Sequence, residues 1–253
     1  SIIEDELSSA SVIQHVNRLD FDFVPEEILH RDEQLRLLAQ LYKQTLQGVS
    51  QNAVVTGPVG SGKTVMAKKI CRELTQFARK KGVILEYVHV NCRKRSTDTM
   101  ALLAVLNHFD PRFPDRGFSV QEMLEVLKRQ LKRRNAHLII VFDEADALLK
   151  KSGSDLIYDL SRFSDESTQQ NISISLLLVS QQNILPLLDN AALSTFKRSN
   201  VIKLDKYSRD ELFDIVNQRV DLAFLPGTVQ DDSIDLIADI ASEWGDARFA
   251  IEL

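Results

Sequence analysis

Cysteine is scarce and long apolar runs are missing, and each absence removes a class of protein. The 253-residue chain has two cysteines, Cys71 and Cys92, too few and too oddly spaced for a disulfide framework or a thiolate metal site. Both are expected as buried packing residues in a reducing compartment. No apolar run approaches the roughly 20 residues of a membrane-spanning helix, so no membrane partner is expected. The N-terminus, Ser1-Ile2-Ile3-Glu4-Asp5, has neither a basic region nor an apolar stretch. It does not read as a signal peptide, and an intracellular setting is expected. Positive charge is not in excess either: the net charge is −5, so the field of the whole molecule does not draw in nucleic acid. Any such contact has to come from local basic patches. Internal repeats and low-complexity stretches are also missing.

What is there is ordinary for a globular protein, with 44% hydrophobic and 26% charged residues. The length suits one large domain, or a domain with a small appendage. Leu35, Leu38, Ala39 and Leu46 recur at helical spacing between Arg31 and Gln47, and Gly48 ends the run. Five β-prone runs follow: Asn52 to Thr56, Val83 to Val90, Leu138 to Phe142, Ile172 to Val179 and Val201 to Leu204. Helical patterns separate most of them. Apolar strands alternating with helices predict an α/β fold with a parallel five-stranded sheet covered by helices. From Ser208 the pattern is helical only, with Leu212, Ile215, Val216, Ile234, Ile237 and Ala241 on apolar faces. A small all-helical lid is expected there, and because the chain stops at Leu253 inside a helical pattern it reads as a fragment.

The first strand runs into Gly57-Pro58-Val59-Gly60-Ser61-Gly62-Lys63-Thr64, and Lys63 to Arg79, with Val65 in its first turn, is helix-like. This is the full G-x-x-x-x-G-K-T pattern in strand, turn, helix order. Its glycines let backbone N–H groups turn inward around a β-phosphate, at the positive end of the following helix. Lys63 is placed to neutralise β and γ oxygens, and the Thr64 hydroxyl to ligate Mg²⁺. The run Leu138-Ile139-Ile140-Val141-Phe142 ends in Asp143-Glu144. Charges at the end of a buried strand need a cation to meet. Asp143 is expected to hold Mg²⁺ through its water shell and Glu144 to polarise the attacking water.

Asp143-Glu144-Ala145-Asp146 also spells the string that names a helicase class. That class needs a second domain of the same kind, for which the chain has no room. A GTPase would carry Asn-Lys-x-Asp after a later strand, where Ser180-Gln181-Gln182-Asn183 stands. ATP, with ADP as product, is therefore expected over GTP.

These residues resemble the AAA+ replication initiators of the origin recognition complex and cell-division-control type, most closely the archaeal ones. The resemblance covers nearly the whole chain. Phe23-Val24-Pro25-Glu26-Glu27-Ile28-Leu29-His30-Arg31-Asp32-Glu33 looks like the family's segment around the adenine, which implies that Val24, Pro25, Leu29 and Arg31 bind the cofactor. Trp244-Gly245-Asp246-Ala247-Arg248-Phe249-Ala250-Ile251-Glu252-Leu253 is similar to its lid motif, which implies that Arg248 reaches the phosphates. Tyr207 and Arg219 match a further lid pattern whose tyrosine and arginine line the nucleotide pocket. Each could instead be a packing residue or a solvated charge. Gln181 falls where the family places a polar sensor of the γ-phosphate, often asparagine. The resemblance implies an N-terminal segment at 1–19, a base at 20–205 with a helical insertion at 92–136, and the lid at 206–253.

Two features depart from, or stand apart in, that pattern. Ala191 and Thr195 occupy positions where relatives carry arginines, including the finger offered to a neighbouring subunit; Lys197 and Arg198 follow and could substitute, or form a solvated pair. The insertion, Thr97 to His108 and Ser119 to Arg134 around the loop Asp110 to Gly117, resembles the part that relatives press against DNA. Arg112, Phe113, Arg116 and Phe118 then offer cations for phosphates and aromatics for a groove, or else a loop packed on its own helices. The resemblance implies an ATP-switched initiator acting with Mg²⁺ on double-stranded origin DNA, with the replicative helicase and other initiator subunits as partners. Its setting would be cytoplasmic and nucleoid-associated, or nuclear in a eukaryote. Family members continue into a winged-helix domain that this sequence does not contain. The rivals are another AAA+ machine, such as a clamp loader or transposition helper, and a nucleotide-locked scaffold without turnover.

Overall fold

The computed structural model describes residues 11–163, 172–196 and 200–253. Lys197 and Arg198, the possible substitute cations, lie outside the described residues. The chain divides into two compact units: residues 31–58 with 63–204, and residues 1–30 with 59–62 and 205–253. Residues from about 20 to 30, expected with the sheet, therefore group with the C-terminal helices.

The larger unit is a five-stranded sheet in the order β2-β3-β4-β1-β5. Its strands are β1 (Asn52–Thr56), β2 (Ile84–Asn91), β3 (Ala136–Asp143), β4 (Ile174–Ser180) and β5 (Val201–Lys203). Every pairing is parallel. The burial patterns follow from position. Every residue of β1, β3 and β4 is buried, as central strands covered on both faces demand, and these read in sequence as continuous apolar runs. The edge strand β2 alternates between buried and more exposed residues.

Helices α1 (Asp32–Tyr42), α2 (Lys63–Lys80), α3 (Asp98–Phe109), α4 (Val120–Arg134), α5 (Ala145–Ser152), α6 (Asp155–Ser161) and α7 (Asn190–Leu193) complete this unit. Instead of one helix to Gln47, α1 ends at Tyr42 and a 3-10 turn covers Lys43–Gln47. The Tyr42 hydroxyl donates to the Leu176 carbonyl at 2.7 Å, which pins that end to β4. The α3–α4 hairpin packs through Leu102, Leu106, Met123, Leu127 and Leu131, all fully or almost fully buried. Helix α4 opens with a capping box, in which the Ser119 hydroxyl accepts from the Glu122 N–H and Glu122 accepts from the Ser119 N–H. Cys71 and Cys92 are buried free thiols; burial pushes Cys71 up to about 12, beyond reach of thiolate chemistry.

The smaller unit holds α8 (Arg209–Ala223), α9 (Asp231–Ser242) and α10 (Ala247–Glu252). They pack around Leu212, Ile215, Val216, Ile234, Ala238, Ala241 and Ala250. No helix among the described residues is long and apolar enough to cross a membrane.

Candidate nucleotide site

Parallel strands put all their C-terminal ends on one edge, and that edge is where the phosphate motif and the acidic pair meet. Thr56, the last residue of β1, is in register with Ser180 of β4, and Asp143 of β3 with Val179. The sheet order β3-β4-β1 thus sets Asp143 two strands away from the loop that leaves Thr56. Helix α2 starts at Lys63 and brings the Thr64 side chain across the gap: its hydroxyl donates to Asp143 Oδ2 at 2.7 Å. Lys63 Nζ donates to the Pro58 carbonyl at 2.5 Å, so the cation lies over the loop that precedes it. Val65 is half-buried on the next turn position.

Asp143 is buried, with 5% of its surface exposed. Burial alone would raise its pKa, but hydrogen bonds from His89 and Thr64 outweigh that and hold the carboxyl below its ordinary range. His89 Nε2 sits 3.1 Å from Asp143 Oδ2, and the Glu144 N–H donates to Asp143 Oδ1 at 3.0 Å. Glu144 adopts a left-handed backbone, φ 54 and ψ 43, which turns the chain sharply between β3 and α5. Its carboxylate lies 3.3 Å from Arg93 Nε on the segment after β2. His89 and Arg93 carried no signal in the sequence. A histidine on a half-exposed edge strand and an arginine in a turn look like solvated residues until β2 is paired with β3.

An ionised carboxylate and a hydroxyl at hydrogen-bond distance, both hard oxygen donors, fit a Mg²⁺ ion that keeps most of its water shell. Two such donors leave the other positions of the ion to water and to phosphate oxygens. Among the described residues no group of three or more acidic, cysteine or histidine side chains could hold a metal. Gln181 follows Ser180 directly and is exposed. The register sets it between the loop after β1 and the end of β3.

In the smaller unit, Ser61 is fully buried, while Gly60 and Gly62 have φ of 69 and 90, values that glycine adopts without strain. Val24 and Pro25 are buried and Leu29 packs on the helical core. Arg31, which begins the larger unit, is also buried. Tyr207 is buried, and its N–H donates to the Gly245 carbonyl at 3.2 Å. Arg219 donates to the Arg18 carbonyl at 2.8 Å and stacks over the Phe23 ring at 4.7 Å. Arg248 is exposed, with its guanidinium 5.6 Å from the Phe21 ring centre. In the insertion Arg112 and Arg116 are exposed and Phe118 is partly so. Phe113 corrects the expectation of a free aromatic: it is buried in the core, with its ring 5.0 Å from that of Phe118. A buried ring anchors the loop and cannot wedge a groove without unpacking.

Residues 47–188 match the family described as AAA domain, and residues 213–253 the family described as Cdc6 AAA+ ATPase-type lid domain. The chain is 31% identical to the ORC1-type DNA replication protein of Pyrococcus abyssi, covering all of this chain and 61% of that protein. It is 33% identical to the ORC1-type DNA replication protein 2 of Saccharolobus solfataricus, over 99% of this chain and 63% of the relative. Among solved structures it superposes on Aeropyrum pernix ORC1, determined in complex with DNA, with a TM-score of 0.86 and 32% identity over 97% of this chain and 64% of that one. The chain thus spans a little over three fifths of the relatives' length. With an AAA domain across more than half of its residues, the chain belongs to the AAA+ ATPases, and its C-terminal part matches the Cdc6-type lid that follows that domain.

Proposed function

We propose that the chain is the nucleotide-switched part of a replication initiator: it binds ATP with Mg²⁺, hydrolyses it slowly, contacts origin DNA and helps recruit or load the replicative helicase. The observation that carries this reading is the Thr64 to Asp143 hydrogen bond at 2.7 Å, which joins the phosphate motif to the acidic strand end beside Glu144. In it the N–H groups from Gly57 to Val65 cradle the phosphates and Lys63 neutralises β and γ oxygens. Val24, Pro25, Leu29 and Arg31 frame the base, while Tyr207, Arg219 and Arg248 belong to the lid side. Glu144 orients the attacking water and takes its proton, and Gln181 senses the γ-phosphate. When Mg²⁺ is bound by Thr64 and Asp143, the chemistry it supplies is neutralisation of charge on the β and γ oxygens.

Slow turnover follows from Ala191 and Thr195, since neither can stabilise charge on the transferring group, and an arginine finger is worth about 10³ to 10⁵ in rate. Steady-state phosphate release is expected well below the roughly 1 s⁻¹ low end of typical enzymes, with ADP retained through purification. Heat-denatured protein chromatographed for released nucleotide, beside a phosphate-release assay, checks both. An empty pocket with turnover above roughly 1 s⁻¹ would reject the switch. The same missing arginines favour a second reading, a scaffold locked by nucleotide with no turnover at all.

The DNA contact is proposed on Arg112, Arg116 and Phe118. The pair Arg112→Ala with Arg116→Ala is expected to weaken duplex binding and flatten its log–log salt dependence by about one unit for each phosphate that is no longer neutralised. Isotherms that coincide with wild type at several salt concentrations would remove this loop from the interface. Phe113→Ala is a poor probe, because it would open a cavity in the core.

A further inference from the structure

We propose that Asp246 is a positioning residue for the phosphate-binding loop, holding the Val59–Gly62 segment through a carboxyl group seated on Gly60. The inference rests on the nucleotide reading above and adds a residue to it.

Glycine at position 60 is ordinarily explained by the close approach of a phosphate. The structure adds a second demand. A Cβ built on Gly60 would overlap the Asp246 carboxyl group and come within 2.8 Å of the Asp246 Cα. The carboxyl thus fills the notch left by the missing side chain. The backbone beside it joins the contact, since the Ala247 N–H donates to the Gly60 carbonyl at 3.2 Å. Two residues on, a Cβ at Gly62 would stand 2.7 Å from the Tyr207 hydroxyl oxygen. The turn Gly245-Asp246-Ala247 and Tyr207 therefore meet this loop segment at both glycines, and the Tyr207 N–H to Gly245 bond joins the two contacts.

A bare carboxylate beside a loop meant for phosphates would repel them. Here its charge is largely used elsewhere: Asp246 Oδ1 accepts from the N–H groups of Arg248 and Phe249 at 2.8 and 3.1 Å, capping α10. One carboxyl group caps the helix and seats the loop. Left-handed glycines lose the most conformational freedom when they are fixed. A side chain that holds them in place removes part of that ordering cost from the binding step and slows the loosening that precedes release.

Cap and seat can be separated by chain length. Asp246→Ser keeps a good N-cap but is too short to fill the notch on Gly60; Asp246→Asn keeps both shape and acceptor oxygen. Methylanthraniloyl-ADP is loaded on the purified chain and chased with unlabelled ADP in a stopped-flow instrument, with a thermal melt of each variant alongside. The serine variant should release the probe roughly ten-fold faster, the scale on which a single positioning interaction acts, with an unchanged melting temperature. The asparagine variant should retain slow release. Wild-type release from the serine variant would leave Asp246 a helix cap and overturn the proposal. Equal acceleration in both variants would overturn it too, because charge and not the seat on Gly60 would then hold the loop. Failure of the wild-type chain to bind the probe would instead reject the nucleotide reading on which the proposal stands.

Discussion

In Lys63→Ala, ATP affinity measured by calorimetry is expected to fall by roughly thirty-fold to a few thousand-fold, corresponding to about 2–5 kcal/mol for truncating one member of a hydrogen-bonded charge pair. Lys63 is the first residue of α2 and the sole cation within the loop motif. Its ammonium lies against the Pro58 carbonyl, at the start of the loop whose N–H groups would face the phosphates. The backbone donors and the helix N-terminus remain in the variant, so residual binding is expected. Lys63→Arg should not rescue it, because a planar fork on a longer arm cannot replace a compact point charge inside a tight loop. A melting temperature close to wild type would assign the loss to the site. Wild-type affinity in the alanine variant would sink the phosphate-loop assignment itself.

Glu144→Gln should do the opposite, keeping ATP affinity and lowering single-turnover hydrolysis by about 10² to 10⁴, the usual worth of a positioned general base. The amide has the same shape and can still meet Arg93, but cannot accept the water's proton. The ion pair with Arg93 at 3.3 Å is exposed on the arginine side, so its removal should cost little stability. The left-handed backbone at Glu144 is unaffected by an isosteric change. The fold and the Asp143 site should therefore be intact in the variant. Phosphate release at the wild-type rate would remove Glu144 from the mechanism.

The limits of sequence reading are visible in particular residues. The buried strands were legible because a central parallel strand is apolar at every position, as from Leu138 to Phe142, and because the glycine loop and acid pair are local patterns. Boundaries slipped where tertiary pairing extends an element, as with β3, which begins at Ala136 because it pairs with Ile84 on β2. Phe113 was not legible. Aromatics in a loop look alike in sequence, and only the packing of α3 on α4 decides that Phe113 turns inward while Phe118 stays partly exposed.

The sequence by itself determined the chemistry: a phosphate loop with its lysine and threonine, a strand ending in two carboxylates, and no arginine at Ala191 or Thr195. These depend on covalent neighbours, and covalent order is what a sequence records. The tertiary structure alone decided who meets whom. Strand pairing sets His89 beside Asp143 and brings Arg93 to Glu144, partners more than fifty residues apart in the chain in both cases. Packing of the smaller unit carries the Gly245-Asp246-Ala247 turn across the chain to Gly60. Such contacts arise from burial and register summed over many residues, so no local pattern around either partner announces them.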